Sequence, residues 1–275
     1  MKKVRVEAST KKDRTSEIFG NPMSKKVIRK AQKSKQKNQK KYGDDSKVNY
    51  QCIIRDNSCI GGPLGVKNVV VTRKEGKGSF DEEKGVIVGN IRMGFGHYRI
   101  SMAIASAAHA LGYTPYWMDL NSYPETTCTK LISAQNELYS LGSRISQKSK
   151  LFNKFVWEPV NYEGFRQLSY NAADQKNAEL MAPVYHSVPK DIPVIATHVW
   201  PAQAAVHAGM KHVVNAIPDN WPMALHYAQG SLHTVQTHYA YQGYRIGNGM
   251  MKDKVVQAMP PQDLMYTGHY IDHEL

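Results

Sequence analysis

The most constraining feature of the chain is a rhythm that begins at Gly85. Short apolar runs of four to seven residues, "VIVGNI", "TPYWMDL", "IPVIATH", "HVVNAIP", "HTVQTH" and "LMYTGHYI", alternate with stretches of helical periodicity. Runs of that length, rich in β-branched residues and bounded by Gly, Pro and Asn, are strands. Strands that alternate with helices pair in parallel through crossover connections. The sequence therefore predicts an α/β fold, a Rossmann-like parallel sheet with helices on both faces, over residues 85–275. A helix is expected from Tyr98 to Leu111, with an apolar stripe at Ile100, Ile104, Ala107 and Leu111. A long helical region follows from Thr126 to Met181, interrupted near Pro159.

Two segments precede this domain. Over residues 49–84, "YQCIIR" and "KNVVVTR" flank the Gly/Pro-rich "CIGGPLG" and read as a β-hairpin leading into the sheet. Residues 1–48 read as a basic tail. The chain carries a net charge of +13, and residues 1–49 hold sixteen Lys/Arg against five Asp/Glu, a surplus of eleven that leaves two for the rest. "KKVIRKAQKSKQKNQKKYG" has almost no large apolar residues, so the composition predicts disorder or a loose helix. Such a tail is either simply solvated or drawn to anionic headgroups or RNA. Without interleaved aromatics it is not built for base stacking, which makes nucleic acid an unfavoured partner.

Cys52, Cys59 and Cys128 form neither an even disulfide set nor a CxxC zinc pattern, which points to a reducing, cytoplasmic setting and to no metal centre. No apolar run approaches the roughly 18 residues of a membrane span, and no apolar block of a secretory signal opens the chain.

Ligands of open parallel sheets collect at the carboxyl ends of the strands. Four loops qualify: "RMGFGHYR", "DLNSYPE", "THVWP" and "PDNWP", which carry His97, Asp119, His198 and Asp219. Gly94 and Gly96 permit close backbone approach, and His97 stands at the threshold of a helix. The positive helix end disfavours imidazolium, so the ring stays neutral and can accept a proton near pH 7. The same N–H groups can receive an anionic oxygen. The alternative role for His97 is a helix cap. A dinucleotide site would need glycine where Arg99 stands, although Asp119 lies at the distance expected of a ribose partner.

"GFGHYRISMAIASAAHALG" resembles the glycine-rich loop and first helix of the monogalactosyldiacylglycerol synthases and processive diacylglycerol glucosyltransferases. It is more distantly similar to the lipid-linked N-acetylglucosaminyltransferase of peptidoglycan synthesis. "VIATHVWPAQAA", "VVNAIPDNWPMALHYAQGSLHTVQTHYAYQGYRIG" and "MYTGHYI" are similar to later segments of the same enzymes, in the same order. Phe95 replaces the middle glycine of the loop, and "PD" stands in place of "TD" at Asp219.

The resemblance implies the N-terminal, acceptor-binding half of a GT-B glycosyltransferase, with the donor domain expected beyond Leu275. It implies a nucleotide-sugar donor, UDP-linked, with no further cofactor. On the same resemblance the acceptor is expected to be a lipid or other hydroxyl compound, and the protein a cytoplasmic, membrane-associated hexosyltransferase. The resemblance places His97 at the catalytic or acceptor-contacting histidine of these enzymes. Read from the residues, His97 is the candidate base, Asp219 orients the acceptor or the base, and Gly94, Phe95, Gly96, Tyr98, Asp119, His198, Trp200, Trp221 and His226 are candidate substrate contacts, with a structural role the alternative for His198 and His226. Trp117, Trp157, Trp200 and Trp221 lie where a sugar ring or acyl chain could stack, or else pack locally. Two other classes stay open: a nucleotide- or dinucleotide-binding Rossmann protein, and a non-catalytic scaffold docked through its basic segment.

Overall fold

The structure is a computed structural model that describes residues 13–76, 78–247, 250–251 and 256–271. Its first elements are a two-rung hairpin, β1 (Glu17–Ile18) and β2 (Asn21–Pro22), and the helix α1 (Lys25–Tyr42). Then come β3 (Gln51–Asp56), the short α2 (Gly61–Leu64), β4 (Lys67–Thr72), β5 (Gly85–Asn90), α3 (Phe95–Ala110) and β6 (Thr114–Asp119). After α4 (Thr127–Lys148), α5 (Lys150–Phe152), a π-helical stretch over 153–164 and α6 (Leu168–Ala178), strands and helices resume. They are β7 (Val194–Ala196), α7 (Val199–His207), β8 (Val213–Ala216), β9 (Leu232–Val235), α8 (His238–Ile246) and β10 (Leu264–Tyr266).

One eight-stranded sheet runs in the order β10-β9-β8-β7-β5-β6-β4-β3. Every pairing is parallel except β3 with β4. Side chains alternate across it, as the pleat requires. Ile87 joins Met118, Leu131 and Ile132 in the main core on one face, whereas Val88 joins Ala105 and Trp117 beneath α3 on the other. Helices thus lie on both faces of a Rossmann-like sheet. The cover is uneven. Ile195 and Val214 share the α3 face through their register with Val88 and are only partly buried, and Leu111 beside them is 75% exposed.

Three expectations are corrected. Residues 13–48 are not a disordered tail, and only the part before residue 13 lies outside the described residues. Ile18 and Phe19 are buried in a second core with Leu168, Ile217 and Tyr227. The helix α1 is capped by Ser24, which accepts from the Val27 N–H at 3.3 Å, and it buries Ala31. Its docking onto α6 is largely polar: Lys35 pairs with Glu179 at 2.5 Å, Asn38 donates to Asn177 at 2.9 Å, and Asn177 donates to Ser34 at 3.1 Å. A composition rule that counts large apolar residues misses such an interface.

The hairpin of residues 49–84 is not a lead-in to the domain but its edge, because β4 pairs with β6 through Lys67–Tyr116 and Asn68–Trp117. The stripe assigned to α3 is rotated. Ser101, Ala105 and Ala108 face inward, while Ile104 is half-buried and Ala107 and Leu111 are exposed. Small side chains on the inner face let the helix lie close to the sheet.

The crossover between β6 and β7 also leaves the body of the domain. α4 buries residues only within its first two turns, up to Ile132. Beyond that it forms, with α5 and the π-helical stretch, a projecting helical hairpin pinned by Trp157 against Tyr139, rings 5.1 Å apart. Gly142 sits under the same indole, where a Cβ would clash. Leu138, Leu151 and Phe155 are exposed on it at 70%, 71% and 67%.

Candidate active site

The chain leaves β5 for β6 on one side and later places β7 on the other. Loops after β5 and β7 therefore part in opposite directions and open a crevice at their carboxyl ends. Residues 91–94 cross this point into α3. Gly94, the N-cap residue, has φ +79°, a left-handed conformation that favours glycine, and makes no side-chain cap bond. A Cβ at Gly94 or Gly96 would meet nothing within 4 Å, so the loop presents open backbone to the crevice. Phe95 points outward at 85% exposure.

His97 is the third residue of α3, half-buried in its first turn. Its Nδ1 lies 2.6 Å from the carbonyl oxygen of Thr197, at the end of β7. A carbonyl only accepts, so Nδ1 carries the proton and Nε2 keeps a free lone pair. Ser101 fixes the geometry: its Oγ donates to the His97 carbonyl at 2.8 Å and shares a 2.8 Å hydrogen bond with Thr197 Oγ1. Burial holds the His97 pKa below the ordinary imidazole value, against the upward pull of the Thr197 carbonyl and Asp219. The helix N-terminus acts in the same direction as burial.

His198 packs edge-to-face on His97, ring centroids 5.0 Å apart. It caps α7, its Nδ1 accepting the Trp200 N–H at 3.2 Å, so its Nε2 bears the proton. Burial, reinforced by His97 and His226, holds its pKa well below the ordinary value. The two adjacent imidazoles are locked in opposite tautomers.

Asp219, after β8, completes the group. Its Oδ2 lies 3.0 Å from His226 Nε2, and His226 Nδ1 lies 2.8 Å from the Tyr244 hydroxyl. The Met223 N–H donates to that hydroxyl at 3.3 Å, which leaves the phenol proton for His226 Nδ1 and the Nε2 proton for Asp219. The hydrogen bond from His226, with the nearby His97, keeps Asp219 below the usual carboxylate range despite partial burial.

His97, His198, Trp200, Asp219 and His226 are thus gathered along the loops after β5, β7 and β8. Asp119 and Tyr98 are not part of this group. They line a separate cavity on the β4–β6 side of α3, where Asp119 Oδ2 is bound by Arg92 Nε at 2.6 Å. Trp221 stacks obliquely with Tyr162 and Tyr239 under Arg166. Trp157 belongs to the projecting hairpin. Among the described residues no group of three or more His, Cys, Asp and Glu could hold a metal ion.

Sequence reasoning missed four contributors. Thr197 holds His97 through its backbone carbonyl, which carries no sequence signal, while its hydroxyl hydrogen-bonds with Ser101. Tyr244 sits in α8, far from any strand end. Asp174, on α6, accepts from the Trp200 indole N–H at 3.3 Å, and burial raises its pKa to about 7. Asn90, the last residue of β5, is fully buried and neither end of its amide has a hydrogen-bond partner among the described residues. Its place at a strand's carboxyl end was the available clue.

No helix among the described residues is long and apolar enough to cross a membrane. A family model described as Domain of unknown function (DUF6937) matches residues 17–246. The match starts at β1, so the hairpin and α1 lie within the family domain. No curated protein and no solved structure matches the chain.

Proposed function

The chain belongs to the DUF6937 family, and we propose that it is the acceptor-binding domain of an inverting GT-B-type glycosyltransferase that moves a hexose from a UDP-sugar to a hydroxyl acceptor at a membrane surface. One observation carries the reading. His97 is locked by the Thr197 carbonyl so that an unprotonated Nε2 remains beside an open glycine loop at the strand reversal.

Inverting transfer needs such a group. As the acceptor oxygen attacks the anomeric carbon, its proton passes to His97 Nε2. The bond from that carbon to the phosphate oxygen breaks, and its electron pair leaves on the nucleoside diphosphate. Asp219, kept ionised by His226, then faces a newly formed imidazolium and favours it.

The projecting hairpin supports a lipid acceptor through its exposed Leu138, Leu151 and Phe155, while its Arg144, Lys148, Lys150 and Lys154 are nearly balanced by Glu137, Glu158 and Glu163. The exposed lysines of α1 add attraction to an anionic surface.

The test is transfer of labelled hexose from UDP-hexose into extractable lipid by the protein expressed from its own gene with the components it assembles with. His97→Ala is expected to lower turnover by about 10²- to 10⁴-fold, the usual contribution of a positioned base. His97→Asn should be equally inactive, since an amide cannot take the proton. Near-normal turnover in His97→Asn would return this histidine to a structural role.

A further inference from the structure

The cavity on the far side of α3 has no part in proton transfer, yet it is built from chemistry of its own. We propose that it is a binding site for an uncharged, hydroxyl-rich ring, a monosaccharide unit. This inference does not rest on the transferase reading: a chain that transfers no sugar would still bind one here.

The cavity measures about 370 Å³, a size suited to one small ring. Its aromatic lining is a corner. Trp117 stands on the α3 face of β6, and Tyr98, the residue after His97, meets it with centroids 5.2 Å apart and planes at 70°. The negative face of an aromatic ring attracts the weakly positive C–H face of a pyranose, and Tyr98 is the ring that offers its face, since Trp117 is packed into the core at 7% exposure and backs it.

The polar lining is fixed before any ligand arrives. β4 carries Asn68 to the position beside Trp117 on the same face of the sheet. Asn57 donates to Asn68 Oδ1 at 3.0 Å, and Asn57 Oδ1 is itself held by the N–H groups of Cys59 and Ile60, each at 2.9 Å. The orientation of the Asn68 amide is therefore set, and its Nδ2 has no partner among the described residues. Opposite it, Arg92 binds Asp119 at 2.6 Å and Ser122 at 2.7 Å.

That pairing decides the ligand class. Arg92 and Asp119 cancel, so the cavity offers no surplus charge to a phosphate or an ammonium group. A pattern of rigid donors and acceptors with no net charge suits a ligand whose hydroxyls both give and receive hydrogen bonds.

Saturation-transfer NMR on the full chain tests this with methyl glucoside, methyl galactoside and myo-inositol as probes. At least one is expected to bind with a dissociation constant of about 1–10 mM, as few contacts allow. Asn68→Ala and Tyr98→Ala should each weaken binding by about fivefold or more, the effect of losing one hydrogen bond or one stacking face. Tyr98→Phe, which keeps the ring, should bind nearly as the parent does and shows that losses in the alanine variants are not unfolding. Absence of transfer from all three probes at about 50 mM would overturn the site. Binding undiminished in both alanine variants would overturn its location. Preferential binding of AMP or inorganic phosphate would overturn the uncharged class.

Discussion

Asp174 shows what a single buried group does to this fold. It lies on the inner face of α6 with the Trp200 indole as its hydrogen-bond partner, and burial raises its pKa to about 7 from 3.8. A carboxyl whose folded pKa exceeds its unfolded one binds more protons in the native state, so stability falls as pH rises between those values. The penalty is absent below about pH 4 and complete above about pH 7, where it reaches the order of a few kcal/mol. Asp174→Asn keeps the acceptor for Trp200 and removes the charge. Thermal unfolding should show the variant several degrees more stable at pH 8 and no more stable than the parent at pH 4. Equal gains at both values would mean that charge is not the cause.

Residue-level legibility followed the same physics. His97 stood out because strand, glycines, histidine and helix occur in an unbroken run, and all the geometry that matters is local. Asn68 and Arg92 did not, because their cavity exists only once β4 is seen to be a strand of the main sheet.

At the scale of elements, α1 and the β1–β2 hairpin are the test of how far composition can be trusted. The composition of this segment predicts disorder or a loose helix, yet Ile18 and Ala31 are fully buried and Phe19 packs edge-on against Tyr227, centroids 5.0 Å apart. Burial of one large apolar side chain contributes about 1.5–3 kcal/mol. Several such side chains are a large fraction of the roughly 5–15 kcal/mol that holds a domain together. Deletion of residues before Asn49 is expected to lower the melting temperature by more than about 10 °C or to abolish cooperative unfolding. A truncated chain that melts within a few degrees of the parent would show that the packing adds little. The strands were legible where α1 was not. β5 is buried on both sides and β7 on one, and both read as apolar runs. The lysine-rich α1 instead meets α6 through serine, asparagine and an ion pair, residues that also describe a solvated surface.

For the whole molecule, the strand reversal that opens the crevice also sets the order of assembly. β5, fully buried in the finished sheet, takes β6 as its first neighbour soon after it is made. Its other neighbour, β7, follows after roughly 100 further residues, which at about 5–20 residues per second of synthesis is a wait of roughly 5–20 s. Throughout that interval one edge of this fully buried strand is unpaired, a template for any passing strand. The polar, helix-forming excursion between β6 and β7 is then the part of the chain on hand while that edge waits. Ribosome-bound chains halted before residue 190 are expected to be cleaved by added protease within β5. Chains halted with β7 and β8 outside the exit tunnel should resist. Protection that appears as soon as β6 emerges would show that the sheet closes from one side alone, and that a cell making this protein has no slow, adhesive intermediate to guard.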